Sequence, residues 1–323
     1  MASDAFCFLS LFLSRYPQYA SAPFHIAAES WGGHYGPHIA HFIHRMNKES
    51  DIANPLAIPK INMTSVILAN GLTDPVIQFA SIPAYACGSS PYPPFDPNGP
   101  ECTALARNTP VCTAMIEACY EYPSNLTCSP PTSSCWRNFM GAIISTDRNS
   151  YDLRKVCDEN SSICYEETIG IEKWLNAPSH KRALGVDMGR DFAMCNMTVN
   201  AAFYEHGQAM LNSAALLPEL IDAGIRLVVY AGNTDFVCNY MGIEQWMRKL
   251  EHIFHPEFGK APSRRWYTIK SGLLGGEVRT AGQGAGNVTF VQIYDAGHMV
   301  SHDQPEAAAD MIMRWIKNIP FIP

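Results

Sequence analysis

No stretch of this chain approaches the roughly 20 consecutive apolar residues that a membrane-spanning helix requires. Positive charge is also scarce. With 23 Lys and Arg against 30 Asp and Glu, the net charge of -7 leaves no basic stripe for nucleic acid. Membrane-spanning and nucleic-acid-binding readings drop out together. Metal-site signatures are missing as well: the 11 cysteines show no paired C-x₂-C spacing with accompanying histidines, and no H-E-x-x-H occurs. The opening segment lacks a basic region and an A-x-A cleavage site. Residues 5–16, with Phe6, Leu9, Phe12, Leu13 and Tyr16 at helical spacing, therefore read as a core-facing helix and not as a signal peptide.

What the chain does have is apolar substance. A hydrophobic fraction of 47% with 16% charged residues over 323 positions suffices for a sizeable core in one large or two ordinary domains. One stretch organises the rest: Phe24-His25-Ile26-Ala27-Ala28-Glu29-Ser30-Trp31-Gly32-Gly33. A short apolar strand runs into a serine flanked at two residues either side by Ala28 and Gly32, and a helical pattern follows over residues 38–45. A sharp strand-to-helix turn demands small residues at those two places, so the pattern reads as a nucleophile elbow with alanine at its first small position.

Two further strands each end in one polar side chain. Leu227-Val228-Val229-Tyr230-Ala231-Gly232 leads to Asp235, and Thr289-Phe290-Val291-Gln292-Ile293-Tyr294 leads to His298. The order Ser30, Asp235, His298 is that of α/β-hydrolase triads and differs from the chymotrypsin and subtilisin orders. Singly, Asp235 could be a turn residue and His298 a surface histidine; the shared order is what joins them. Thr64-Ser65-Val66-Ile67-Leu68-Ala69 is another strand of the same sheet. Residues 211–221 and 305–316 have helical spacing. The five histidines between His25 and His44 read as a polar helix face, since no carboxylate set accompanies them.

At this point a family resemblance is specific. Glu29-Ser30-Trp31-Gly32-Gly33-His34-Tyr35 resembles the E-S-Y-[AG]-G-H-Y of serine carboxypeptidases of the carboxypeptidase Y type, with tryptophan for tyrosine. The stretches Asn70-Gly71-Leu72-Thr73-Asp74-Pro75, Tyr230 to Asn239 and Ala296-Gly297-His298-Met299-Val300 resemble the blocks that follow. The resemblance implies an α/β-hydrolase fold carrying an inserted disulfide-rich cap, and a cofactor-free, metal-free serine hydrolase that releases C-terminal amino acids from peptides and proteins at acid pH. It also implies truncation: the family's W-N-G-G-P-G-C-S-S loop is absent, so the first strands and one oxyanion-hole donor are expected to be missing.

Residue by residue, the resemblance makes Ser30 the nucleophile, His298 the base and Asp235 its orienting carboxylate. The Trp31 backbone N–H becomes an oxyanion donor and Glu29 the partner of the substrate's terminal carboxylate. Trp31, Tyr151, Tyr165, Cys238 and Met299 would form the specificity pocket, although aromatic and methionine side chains are ordinarily core material. The implied disulfides are Cys87–Cys102, Cys112–Cys135, Cys119–Cys128 and Cys157–Cys164, with Cys195 unpaired; spacing alone could not choose among the connectivities. Each bridge would contribute something like 2–4 kcal/mol to a region whose prolines, from Pro91 to Pro100, break regular structure.

The expected organisation is a nucleophile half of the hydrolase core (1–81), a cap (82–205) and an acid-and-histidine half (206–323). Sequons at Asn62, Asn125, Asn160, Asn196 and Asn287, together with the bridges, point to a glycosylated secretory-pathway product, vacuolar/lysosomal or secreted. Two other expectations stand beside the peptidase: a carboxypeptidase-like acyltransferase, and an inactive truncated remnant with an exposed sheet edge.

Overall fold

The computed structural model describes residues 1–53, 60–157 and 164–322. Helix α1 (Ala2–Arg15) precedes strand β1 (Phe24–Glu29), and α2 (Gly32–Ala53) carries the chain to β2 (Met63–Ala69). Helix α3 (Pro75–Ala84) opens the inserted region, which holds α4 (Pro100–Glu121), α5 (Asn125–Ile144), the hairpin strands β3 (Arg148–Asn149) and β4 (Asp152–Val156), α6 (Glu167–Asn176), α7 (Pro178–Leu184) and α8 (Met197–Glu205). The short α9 (Leu217–Asp222) returns the chain to β5 (Arg226–Gly232). Then come α10 (Tyr240–Lys249), α11 (His255–Lys260), β6 (Arg264–Tyr267), β7 (Leu274–Ala281), β8 (Val288–Ile293), α12 (Val300–Asp303) and α13 (Pro305–Lys317).

Six strands form one mixed sheet in the order β1-β2-β5-β8-β7-β6. The first four are mutually parallel, and β7 and β6 join antiparallel. Parallel strands must be covered on both faces, which is why β2 and β5 read as nearly unbroken apolar runs. One face packs Leu68, Leu227 and Val229 in a cluster with the helices that follow β1 and β2 and with the cap; the other packs Val228 and Val291 against Met311 and Trp315 of α13. Trp315 is also tied down by its edge, since its indole N–H donates to Ser65 Oγ at 2.9 Å and the Arg226 guanidinium lies 3.8 Å over its ring. Because β1, β2, β5 and β8 run the same way, the segments following all four emerge at one rim. Among the described residues β1 pairs only with β2, so its other edge is open.

The inserted region differs from the irregular, core-less cap expected from its prolines. Helices α4 and α5 are 22 and 20 residues long and contain Pro110, Pro130 and Pro131, and Leu105, Ile116, Phe139 and Ile143 on them join the main core. Cys112–Cys135 and Cys119–Cys128 join α4 to α5, Cys87–Cys102 fixes the entry and Cys157–Cys164 follows β4. Tertiary packing and the cross-links thus outweigh the proline cost. Two further boundaries shift, and two strands fall outside the expected elements. Helix α2 begins at Gly32, not at residue 38; the helix expected over 211–221 forms only as Leu217–Asp222 after a short 3₁₀ turn; and β6 and β7 had no sequence signal strong enough to be recognised.

Helix α1 buries less than its spacing suggested. Phe6 is buried against Phe42, whereas Phe12 and Tyr16 are exposed, because among the described residues α1 packs chiefly on α2. The histidine face of α2, expected as a polar face, is partly buried and packs against neighbouring elements. His34 Nδ1 lies 2.6 Å from Ser213 Oγ, and His41 Nε2 is 3.0 Å from Glu219, which also binds Lys48 at 2.9 Å.

Burial leaves several histidines hard to protonate. Desolvation lowers both His34 and His252 to about 4, with His38 and His255 respectively adding like-charge pressure. The folded state therefore refuses protons that the unfolded chain accepts near 6.5, and the stability each neutral ring provides is lost as pH falls from about 6.5 to about 4, by up to roughly 3 kcal/mol per group. His252 lies outside the rim, and its Nδ1 accepts the Phe254 N–H. Replacing it by asparagine, which keeps that acceptor, is expected to flatten the fall in unfolding free energy between pH 7 and pH 4 measured in urea. An unchanged slope would remove His252 from the account.

Candidate active site

Ser30 follows directly on β1 and adopts a left-handed backbone, φ 60°, before α2 begins. For a residue with a Cβ that conformation is strained, and it persists only where the surroundings enforce it. They do so here: Ser30 N donates to Ala69 O at 3.0 Å, and Ser30 O accepts from Gly33 N and Leu72 N. The small neighbours follow from the same geometry, since a Cβ on Gly32 would sit 2.8 Å from the Cβ of Ala28. A serine at a strained strand-to-helix turn, with crowding at the positions two before and two after it, is the geometry of a nucleophile elbow.

Asp235 lies in the loop after β5 and is fully buried at 0% exposure. A carboxylate there must be satisfied by donors. Its Oδ2 accepts from His298 Nδ1 at 2.6 Å and from Asn70 Nδ2 at 2.8 Å, and its Oδ1 from Val237 N at 2.9 Å. His298, after β8, is also buried, at 3%. Burial alone pulls the imidazole pKa down, but the charge and hydrogen bond of Asp235 and the charge of Glu29 outweigh it, leaving a net rise above the ordinary value. His298 Nε2 is buried with no hydrogen-bond partner, so the structure forms the carboxylate–imidazole pair but not a Ser30–His298 hydrogen bond. Such bonds often close only when substrate is bound.

Glu29 immediately precedes Ser30. Although the residue is exposed, its carboxyl pKa is raised, chiefly by desolvation, with His298 pulling it back and Asp235 pushing it further up. Those couplings put Glu29 within electrostatic reach of both triad candidates. Tyr151 and Tyr165 stand beside His298 in series: the Tyr151 ring is 5.0 Å from the imidazole and 6.2 Å from Tyr165. Met299 follows His298 and is half-buried. Trp31 points elsewhere, toward the cap, with its ring 5.4 Å from Phe203 of α8 in an edge-on contact. Trp31, His34, Tyr35 and Phe203 line a cavity of about 460 Å³.

Asp235, Cys238 and His298 bring a carboxylate oxygen, a thiol and an imidazole nitrogen within 4.8 Å of one another, the one such group among the described residues. Burial, reinforced by Asp235, raises the Cys238 thiol well above its usual pKa, which disfavours the thiolate a metal would need. Cys238, Cys195 and Cys7 are free. Of the sequons, Asn62, Asn125 and Asn196 are exposed; Asn287 is half-buried with its Thr289 fully buried, and Asn160 lies outside the described residues.

One residue that sequence reasoning placed in a matched stretch without a role is Asn70. It ends β2 with φ 40°, donates to Asp235 and accepts from Gly232 N at 3.3 Å, coupling the nucleophile side of the rim to the acid loop. The signal was available, since an Asn-Gly after an apolar strand favours left-handed backbone. Asn70→Gly keeps that backbone and deletes the amide; it is expected to cost about 1–3 kcal/mol in denaturant unfolding, and a neutral effect would show that the donor to Asp235 is dispensable.

With this geometry in hand, comparison with known proteins is informative. Residues 1–318 match the serine carboxypeptidase family. Carboxypeptidase Y of Candida albicans is 37% identical over 97% of this chain and 54% of its own length; carboxypeptidase Y homolog A of Coccidioides posadasii is 36% identical over 97% and 56%. The fold matches that of a prohormone-processing carboxypeptidase from Saccharomyces cerevisiae with a TM-score of 0.74 at 21% identity, covering 96% of this chain and 64% of that one. The chain spans about half the length of the curated relatives it matches. It is an α/β-hydrolase-like chain with disulfides in an inserted helical region, and it belongs to the serine carboxypeptidase family.

Proposed function

We propose that the chain carries the nucleophile, base and acid of a serine-type carboxypeptidase that releases C-terminal amino acids from peptides and proteins through an acyl-enzyme. The observation that supports this most is the buried 2.6 Å His298–Asp235 pair at the same sheet rim as the strained Ser30 turn. Ser30 Oγ attacks the carbonyl carbon of the last peptide bond while His298 Nε2 takes its proton. The proton then goes to the leaving amino acid as the C–N bond breaks, and water, deprotonated by the same imidazole, splits the acyl–serine ester. Asp235 holds the imidazole tautomer and stabilises the imidazolium. The Trp31 N–H, first after the nucleophile, serves as one donor to the tetrahedral oxyanion.

Exopeptidase selectivity is assigned to Glu29. Two carboxyl groups at hydrogen-bond distance cannot both stay ionised, and a glutamate with a raised pKa retains its proton to higher pH than usual. The protonated acid then donates to the substrate's terminal carboxylate. Its protonation also removes one of the charges that raise His298, so acid conditions favour binding while one of the causes that hold the base protonated is relieved. Tyr151, Tyr165, Cys238 and Met299 are assigned to the pocket for the released residue, and Trp31 to the pocket before the cut. Four disulfides support passage through an oxidising secretory route, with vacuolar/lysosomal or extracellular residence and glycosylation at the exposed sequons as the accompanying proposals.

Amino-acid release from N-blocked dipeptides tests the proposal. The chain is expected to release the C-terminal residue, and Ser30→Ala to reduce the rate by at least about 10³-fold. No release from dipeptides, with acyl transfer from activated esters to alcohols instead, would favour the acyltransferase. Absence of both activities would favour the remnant.

KM is expected to be lowest at acid pH and to climb as pH rises through the raised Glu29 pKa. Glu29→Gln, whose amide donates at every pH, should abolish that climb. A wild-type KM that is flat between pH 4 and pH 7, or an equal climb in the glutamine variant, would contradict the role of Glu29.

A further inference from the structure

Between the acid loop and the histidine loop lies a wedge, the β3–β4 hairpin of the inserted region, which brings Tyr151 to the proposed pocket but whose charged side chains the reaction described above does not use. Its main chain is stitched to both sides. Leu153 N donates to Thr234 O at 3.0 Å and Phe236 N to Ser150 O at 3.1 Å on the acid side, and His298 N donates to Tyr151 O at 2.7 Å on the other. The fit is close: a Cβ on Gly297 would lie 2.4 Å from Tyr151 O, so only glycine lets the histidine loop approach the hairpin this far.

Within the wedge sits a buried ion cluster. The Asp152 side chain is fully buried and that of Asp303 is 4% exposed. Arg154 grips Asp152 with one edge of its guanidinium, Nε to Oδ1 at 2.8 Å and Nη2 to Oδ2 at 2.7 Å, and Nη2 is also 3.2 Å from Asp303 Oδ2. Its remaining nitrogen, Nη1, donates to Asp295 O at 2.6 Å, three residues before His298. The two carboxylates pass the grip outward: Asp152 Oδ1 accepts from Thr234 Oγ1 at 2.9 Å, next to Asp235, and Asp303 Oδ2 accepts from Gly297 N at 2.7 Å, next to His298. A planar fork reaches these three acceptors at once; a lysine ammonium does not.

We propose that Arg154 is a positioning residue for the triad: through Asp152, Asp303 and Asp295 O it locks the loop bearing His298 against the loop bearing Asp235, so that an inserted cap element sets the geometry of the base. This rests on the assignment of His298 and Asp235 as base and acid. Misplacing a reacting group by about 1 Å costs roughly 10²-fold.

The charges facing the guanidinium also make its removal readable in the pH profile. Lys155 Nζ lies 3.0 Å from Asp303 and 3.4 Å from Asp152, and His302 lies 3.3 Å from both Asp303 and Glu167. Without Arg154, Lys155 is the cation left beside two buried carboxylates, with the His302 ring next to Asp303. The surplus negative charge near His298 favours the imidazolium and moves the acid limb of kcat/KM to higher pH.

The test compares Arg154→Met and Arg154→Lys in the full chain. Arg154→Met is expected to lower kcat on a blocked dipeptide about 10- to 100-fold, with KM within about twofold of wild type and the acid limb displaced upward. Arg154→Lys, which keeps the charge without the fork, should return the acid limb to the wild-type position while recovering only part of kcat. A turnover-independent readout is the low-field proton NMR signal of the 2.6 Å His298 Nδ1–Asp235 bond, expected in wild type and weakened or lost in Arg154→Met. Wild-type kcat and acid limb in both variants, or a kcat loss matched by loss of folded protein with an unmoved limb, would overturn the proposal. Should Arg154→Met not fold, a folded Arg154→Lys with undiminished kcat would overturn it, and one with reduced kcat at unchanged melting temperature would support it. If wild type has no turnover, the carboxypeptidase reading fails, and the proton signal alone decides: weakening in the variants supports positioning, and an unaltered signal contradicts it.

Discussion

A carboxylate with no solvent exposure cannot remain charged without donors around it, and Asp235 collects three from different parts of the chain. Asn70 arrives from the end of β2, Val237 from the acid loop itself and His298 from the loop after β8. The need to satisfy one buried charge therefore fixes the relative positions of three parallel strand ends. It also fixes which imidazole nitrogen bears the proton, because Nδ1 must donate to Asp235 and Nε2 is left as the acceptor.

The serine belongs to the rim by a different constraint. Ser30 is held by backbone, through Ala69 O and its own carbonyl's bonds to Gly33 and Leu72, and it makes no hydrogen bond to the imidazole. The rim thus consists of a buried carboxylate–imidazole pair and a strained elbow, and the proposed reaction requires the bond between them to form. Acidity pulls this molecule in two directions. Protonation of Glu29 serves the proposed carboxylate recognition, yet the neutral buried rings of His34 and His252 resist the same conditions. An enzyme working in acid would draw on its four disulfides and its two-sided core to withstand that load.

The sequence revealed those features whose cause is local. Small residues around Ser30, apolar runs ending in Asp235 and His298, and the amphipathic α13 all announce themselves because steric crowding and burial act over a few neighbouring positions. Features that depend on distant partners did not. The prolines from Pro91 to Pro100 argued for an irregular insertion, yet helices α4 and α5 follow, with Pro110, Pro130 and Pro131 inside them, because the two helices pack together and are cross-linked. Strand β6 is a four-residue pairing against β7 with a single buried side chain, Trp266, too brief for any periodicity. The exposed aromatic side of α1 follows from what does not cover it, which no helical wheel reports. Asn70 and Arg154 are of the same kind, polar residues whose roles appear only when loops more than a hundred residues away close upon them.

The central claim is that Ser30 is activated by the buried His298–Asp235 pair. Peptide mapping by mass spectrometry after treatment with a fluorophosphonate tests it most directly, since the reagent modifies a serine that is a nucleophile and leaves ordinary hydroxyls untouched. The account predicts a single adduct on Ser30, absent in His298→Ala and strongly slowed in Asp235→Asn. An unmodified Ser30, or equal labelling in the His298→Ala chain, would contradict it.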